Sequence, residues 1–311
     1  MGKIMLTFHR FLALGGLLLA AAVLMPAAAT TVTKMTGTLK VERHGEHGAP
    51  VILIPGLQGG PWVWAQVIKS LQREHVVYAV TLAGFDGVQV PANAGNLFDR
   101  ADASLLNLIV KQHIDQPVLV GHSLGGTLAL RFASEHPELI SGVVAVDGLP
   151  IFPGMERVSA EQRKAMAARM QQRMGAATPE QFRAQALQYM QQVGLVDQQL
   201  AARYAPMNAR SDIKASAQYM AEDLAADLRS GLKNANVPIL EISPYYAPDF
   251  SHPPMMMSEA QKTAYYRSLL LNAPNAKVVS IAPSRHFVML DQPVKFQLAL
   301  HAFLMSLPDQ P

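Results

Sequence analysis

The sequence holds one segment with an obvious chemical use, Gly121-His122-Ser123-Leu124-Gly125-Gly126, in which a serine has glycine two positions before and two after it. An apolar run over 117–120 precedes it, and 124–135 carries a helix-forming pattern. Strand, tight turn and helix form the setting in which G-x-S-x-G presents a nucleophile. The glycines answer a steric need, because strand and helix approach too closely at such a turn to admit bulk. The serine hydroxyl is thereby pushed out above the sheet, at the carboxyl ends of the strands where ligands bind in α/β folds. The chemistry implied is attack on an acyl carbon and formation of a covalent serine ester.

A serine hydroxyl is too weak an acid to act alone at neutral pH, so a base must stand within reach. Of the ten histidines, His286 fits best: it follows the apolar run 276–281 on a loop, late in the chain and just before a helical pattern. His122 adjoins the nucleophile, but neighbouring residues of a strand point to opposite sides. It is expected to pack or hydrogen-bond behind the turn. His252, in Ser251-His252-Pro253-Pro254, is a weaker loop candidate. An oxyanion needs two preorganised donors, and the backbone N–H of Leu124, just after the nucleophile, is the first.

The elements that must hold these groups alternate. A short strand is expected over 35–41, then a polar glycine-punctuated turn over 42–48. His44 and His47 in that turn lack a third metal ligand at recognisable spacing, and a solvated turn accounts for them. Buried strands follow at 51–54, 76–82, 117–120 and 142–146, with helices over 62–72, 98–112 and 124–135 between them. Apolar runs of this kind, alternating with helices, predict an α/β fold with a mostly parallel sheet covered on both faces. The rhythm breaks at Pro150. From there to 236 the sequence is Ala-, Gln-, Arg- and Met-rich, without buried-strand runs, and is expected to form a helical insertion over the sheet. Its seven methionines (155, 166, 170, 174, 190, 207, 220) mostly suit packing between helices, with a minority facing a pocket. Strands resume at 237–242 and 276–281, and a last helix spans 293–307. The domain organisation read from this is 1–29 signal peptide, 30–149 core, 150–236 helical cap, and 237–311 core again.

The elbow, the strand ending Ile54-Pro55-Gly56-Leu57, and Ser284-Arg285-His286-Phe287-Val288-Met289-Leu290-Asp291-Gln292-Pro293 together resemble the alpha/beta-hydrolase superfamily. The resemblance implies a capped member with a serine nucleophile. It places the second oxyanion donor on the Leu57 amide, although relatives usually have His-Gly where this chain has Pro55-Gly56. Gln58 offers a further side-chain donor or an ordinary surface amide. The acid must fall between the fourth strand and His286 in chain order. The family often puts it just after the strand at 237–242, which favours Asp249, about two residues later than usual. Asp147, at the tip of the preceding strand, is the alternative, with a turn-capping aspartate as its structural explanation. The serine at the elbow disfavours dehalogenase and epoxide-hydrolase chemistry, which uses Asp there. Carboxylic-ester hydrolysis through an acyl-enzyme is the expected activity, by analogy of fold. A proline-releasing aminopeptidase, with Glu156 or Glu222 holding the substrate amine, and a carbon–carbon bond hydrolase are alternatives, followed by a non-catalytic small-ligand binder.

Composition limits the remaining choices. Half the residues are apolar and 16% charged, as in a folded globular protein. The net charge of +3, without a dense basic run, gives no reason to expect nucleic acid as partner. The expected partner is a small apolar ester or acyl substrate, with no cofactor and no metal. The chain contains no cysteine, which excludes disulfides, thiol catalysis and Cys-ligated zinc. Lys3, Arg10, the apolar run 11–25 and Ala27-Ala28-Ala29 match a secretory signal peptide, and the run is too short for the roughly 20 residues of a membrane-spanning helix. Cleavage after Ala29 would remove two of the 26 bases and none of the 23 acids, leaving a net +1 on an exported, periplasmic or secreted chain that starts at Thr30.

Overall fold

The apolar runs become strands of a single sheet in the computed structural model, which describes residues 31–92 and 95–308. The expected signal peptide lies outside the described residues. Val32–Thr36 (β1) and Leu39–His44 (β2) form an antiparallel hairpin where one strand was expected over 35–41. The turn falls at Gly37, whose φ of 56° favours glycine and where a Cβ would lie 2.2 Å from Ser104 Oγ. The polar turn starts later than position 42, because β2 stays paired to the sheet through His44.

Pro50–Ile54 (β3), Ala65–Leu71 (α1), Val76–Leu82 (β4), Leu97–Lys111 (α2), Val118–His122 (β5), Leu124–Glu135 (α3) and Gly142–Val146 (β6) then alternate. Beyond β6 the chain leaves the sheet for Ala160–Gly175 (α4), Pro179–Tyr189 (α5), Gln198–Asn208 (α6) and Ile213–Ala225 (α7). It returns as Ile239–Pro244 (β7), Glu259–Leu269 (α8), Ala276–Ile281 (β8), Val288–Asp291 (α9) and Pro293–Ser306 (α10). Among the described residues the strand order is β1-β2-β4-β3-β5-β6-β7-β8, parallel from β4 to β8. No helix among the described residues is long and apolar enough to cross a membrane.

The side-chain alternation of a strand explains why the runs are apolar throughout. In β3, Val51 and Leu53 enter one core with Trp64 and Phe296, while Ile52 and Ile54 enter the other with Phe132 and Tyr219. All four are fully buried, each worth roughly 1.5–3 kcal/mol over exposure. The excursion after β6 is tied at its base. An isolated bridge pairs Ile151 with Asp227, and the Leu228 amide donates to Pro150 O at 2.7 Å. Capping boxes start α4 (Ser159 with Gln162) and α5 (Thr178 with Gln181). Helix α8 was not expected from the sequence; its start carries the same signature, Ser258 with Gln261.

One buried acid gives a stability prediction. Asp102 on α2 is 5% exposed, and burial pushes its carboxyl up to about 7, opposed by Arg131 and reinforced by Glu135 and Asp99. The folded chain therefore holds a proton that an unfolded aspartate, near 3.9, has already lost. Folding stability should then fall as pH rises from about 4 towards 7, by up to about 1.4 kcal/mol per unit from this group. Asp102→Asn mimics the protonated acid and should flatten that slope. In urea titrations its stability relative to the parent should improve by about 2–4 kcal/mol between pH 4 and pH 8. Parallel pH profiles for the two proteins would show that Asp102 is ionised in the fold.

Candidate active site

The turn from β5 into α3 carries Ser123 at φ 53° and ψ −123°, a backbone strain of the kind that concentrates at functional sites. The neighbouring glycines show why the turn can be so tight. A Cβ on Gly121 would lie 2.2 Å from Gly125 O, and one on Gly125 would lie 2.4 Å from Ile54 O. The end of β6 packs just as closely: the Ser123 amide donates to Val146 O at 2.9 Å, and a Cβ on Gly148 would lie 2.5 Å from Gly126 Cα. That contact brings the residue between Val146 and Gly148, Asp147, to the mouth beside the elbow.

His286 meets Asp147 there, with Nδ1 2.5 Å from Oδ2. Asp147 itself sits at φ 51°, with its amide donating to Ile242 O at 3.0 Å. Its other oxygen accepts from the Tyr266 hydroxyl. Burial raises its proton affinity, but His286, Lys262 and Tyr266 outweigh burial and take the carboxyl well below the ordinary range. The acid is a carboxylate at neutral pH, and with Nδ1 on that carboxylate the free nitrogen of His286 is Nε2. The main chain of His286 is held on both sides. Its amide donates to Val193 O at 3.2 Å, and its carbonyl lies 3.0 Å from His122 Nε2. A carbonyl only accepts, so His122 carries its proton on Nε2. Burial first, and His286 second, push its pKa well below the usual value. His122 is thus a neutral brace behind the elbow.

Asp249 is not brought to His286, which corrects the expectation that favoured it. Its carboxylate takes a two-pronged contact from Arg285, Nε to Oδ2 at 2.8 Å and Nη2 to Oδ1 at 2.6 Å. The same guanidinium donates from Nη1 to Gln191 O at 2.7 Å and Leu195 O at 3.1 Å. These carbonyls lie in and just after a π-helical turn, Met190–Gly194. Asp249 therefore orients the arginine that fastens the histidine loop to the helical excursion. It is spoken for because Arg285, next to His286 in the chain, presents a planar fork that matches a carboxylate better than an imidazole does.

A cavity of about 170 Å³ opens at Ser123, lined also by Leu57, Gln58, Met174, Phe182, Tyr189 and Met220. Two of the seven methionines in the excursion, Met174 and Met220, face it. Met190 is fully buried in the core. Leu57, in the loop after β3, and Leu124, just after Ser123, are the two amides expected to serve as oxyanion donors. Neither amide makes a main-chain hydrogen bond among the described residues, as expected for the first residue of a helix in the case of Leu124. Gln58 lines the cavity from a left-handed backbone, φ 61°. Glu156 and Glu222 are engaged elsewhere: Glu156 accepts from Tyr265, and Glu222 accepts from the Leu97 and Phe98 amides that begin α2, at 3.0 and 2.8 Å. His252 is exposed on its loop. Among the described residues one set of potential metal ligands converges, Asp102, Glu135 and His136, and Arg131 Nε already donates to Glu135 at 3.0 Å.

Residues 51–297 match the sequence profile of the alpha/beta hydrolase family. The chain belongs to that family. The alpha/beta hydrolase is 28% identical over 123 residues to a 1-acylglycerol-3-phosphate O-acyltransferase of Rattus norvegicus, a match covering 38% of this chain and 35% of the relative. It thus spans little more than a third of that relative's length. Among solved structures it is similar to the enol-lactonase from Burkholderia xenovorans, with a TM-score of 0.68 and 17% identity over 88% of this chain and 100% of the other. A thermophilic esterase from Thermogutta terrifontis is similar too, with a TM-score of 0.67 and 18% identity over 89% of this chain and 98% of the other. At these identities the likeness is one of fold.

Besides Phe182 in the cavity wall, Tyr189, Tyr266 and Lys262 of this alpha/beta hydrolase site are not marked by any motif in the sequence. Tyr189 lines the cavity and sets its ring edge-on to His286, 6.1 Å between centroids. Tyr266 reaches Asp147 from α8, and Lys262, one turn earlier and bonded to Pro244 O, acts on it through its charge. The capping box at Ser258 would have located that helix, and its spacing of four would then have placed both side chains on one face.

Proposed function

We propose that this alpha/beta hydrolase cleaves carboxylic esters of small uncharged acyl groups through an acyl-enzyme on Ser123. The observation that carries the reading is the 2.5 Å contact of His286 Nδ1 with Asp147 beside an elbow serine that opens on an apolar cavity. His286 Nε2 takes the proton of Ser123 as Oγ attacks the acyl carbon. The Leu57 and Leu124 amides receive the developing oxyanion, each such donor being worth about 3–4 kcal/mol. Collapse of that intermediate expels the alcohol, protonated by Nε2. Water then attacks the acyl-enzyme by the same route in reverse and releases the acid. Asp147 fixes the tautomer and stabilises the imidazolium as it forms.

The lining residues favour ester over amine-bearing peptide substrates. Among the described residues no charged side chain lines the cavity, and the two glutamates an amine subsite would need are committed to Tyr265 and to the start of α2. Export rests on the 1–29 segment, and N-terminal sequencing of the exported form reads it directly.

The cavity volume sets an acyl-length expectation. About 170 Å³ is close to the 150 Å³ that holds one benzene, so a six-carbon or ring-sized acyl group should fill it. Each methylene buried contributes about 0.8 kcal/mol at most, so kcat/KM should rise by less than about fourfold per carbon from acetyl to butyryl. Part of that gain is shared with the ground state. The rise should level off near six carbons in a nitrophenyl ester series. Best activity on acetate with a steady fall would mean that acyl groups do not enter this cavity. Amide turnover without ester turnover would favour the peptidase.

A further inference from the structure

Asp147 stands beside a second carboxyl. Glu241 on β7 lies opposite Ala145 in the register with β6, and it is 0% exposed. Burial first and the Asp147 charge second push Glu241 well above the ordinary range. Two adjacent carboxyls do not both ionise cheaply, so something must hold the charge on the one that faces His286. Helix α8 supplies two side chains, Lys262 and Tyr266, one turn apart on one face. Tyr266 is 4% exposed and donates its hydroxyl to Asp147 Oδ1. Lys262 donates from Nζ to Pro244 O at 2.5 Å and lies 5.2 Å from the centre of the Tyr266 ring.

We propose that Tyr266 is a positioning residue: its hydroxyl locks Asp147 in the rotamer that turns Oδ2 to His286 Nδ1, while Lys262 one turn earlier supplies the countercharge. The proposal rests on the reading of Ser123, His286 and Asp147 as one catalytic unit. The need for a lock is physical. The terminal torsion of an aspartate is broad and roughly two-fold, so a single contact to histidine leaves the carboxylate free to rock. A second donor on the opposite oxygen fixes the plane, and a hydrogen bond to an ionised group is among the strong ones. The other groups that act electrostatically on Asp147 or feel its charge are His122 on β5, Tyr189 on α5 and Glu241 on β7. None of them is seen donating to Asp147 Oδ1, so none duplicates the tyrosine.

Tyr266→Phe tests this with two readouts. In the first, kcat should fall about 10- to 100-fold with KM within about twofold, the loss expected for a hydrogen bond to a charged group. The acid limb of kcat/KM should move to higher pH, because a carboxylate with fewer donors stabilises imidazolium more strongly. In the second, proton NMR of the His286 Nδ1–H should show its downfield resonance shifted or broadened in the variant. If Tyr266→Phe is recovered only unfolded, Lys262→Gln, which removes the countercharge, should move the acid limb in the same direction. A folded Tyr266→Phe with parental kcat, an unmoved acid limb and an unmoved resonance would overturn the proposal, as would an unmoved acid limb in Lys262→Gln. The resonance does not depend on turnover. A shifted resonance beside a fully active Ser123→Ala would sink the catalytic reading alone and leave the contact standing.

Discussion

Ser123→Ala and His286→Ala are each expected to lower kcat on a nitrophenyl ester by about 10⁵–10⁶, and the double variant by little more than either. In the proposed mechanism the two side chains act on one event, the transfer of a proton from Oγ to Nε2 as the carbon–oxygen bond forms. Without the base the hydroxyl stays a poor nucleophile, and without the hydroxyl the base has nothing to activate. What survives is the oxyanion hole, which still orients substrate and stabilises charge. Folding should be little changed by Ser123→Ala. The alanine variant still has a Cβ at φ 53°, so the strain at the elbow is retained and not relieved. Losses that multiply in the double variant would separate the two residues into different steps.

Asp147→Asn is expected to cost about 10⁴ in turnover, against less than about tenfold for Asp249→Asn. In the first, the amide turns a donor or a weak acceptor to His286 Nδ1 and sets the wrong tautomer. The imidazolium then forms without a countercharge. In the second, Arg285 keeps its donors to Gln191 O and Leu195 O, so the histidine loop stays fastened by the main chain. Asp291 also holds this loop, accepting from the Arg285 amide at 2.8 Å and the Val196 amide at 3.0 Å. The cost of Asp249→Asn should therefore appear as a small loss of thermal stability. Equal kinetic losses in the two variants, or the larger loss in Asp249→Asn, would return the acid to the loop after β7.

The legible parts of this protein are those governed by local pattern. Apolar runs buried on both faces marked β3 to β6, and glycine spacing marked the elbow, because steric and burial rules act residue by residue. Ser123 and His286 follow from that same local logic. The acid does not. Asp147 and Asp249 both lie beyond the ends of adjacent strands, and either could reach the histidine from sequence order alone. What separates them is a competitor, Arg285, whose claim on Asp249 becomes visible only when the histidine loop and the π-helical turn are in contact. Helix α8 was missed for a related reason. It follows a loop of prolines and methionines, and its burial is confined to Tyr266 and Leu269, so no apolar stripe announces it. Glu241 was readable in principle, as an acid inside the apolar strand Ile239–Pro244, yet its neighbour across the sheet was not.

Labelling with a fluorophosphonate probe, followed by peptide mass mapping of the adduct, asks whether Ser123 is an activated nucleophile. One phosphonyl group per chain is expected, on Ser123, with labelling slowed to the background rate by His286→Ala and Asp147→Asn but not by Asp249→Asn. An adduct on another serine, or a folded protein that stays unlabelled, would contradict the assignment of Ser123, His286 and Asp147 as the catalytic unit.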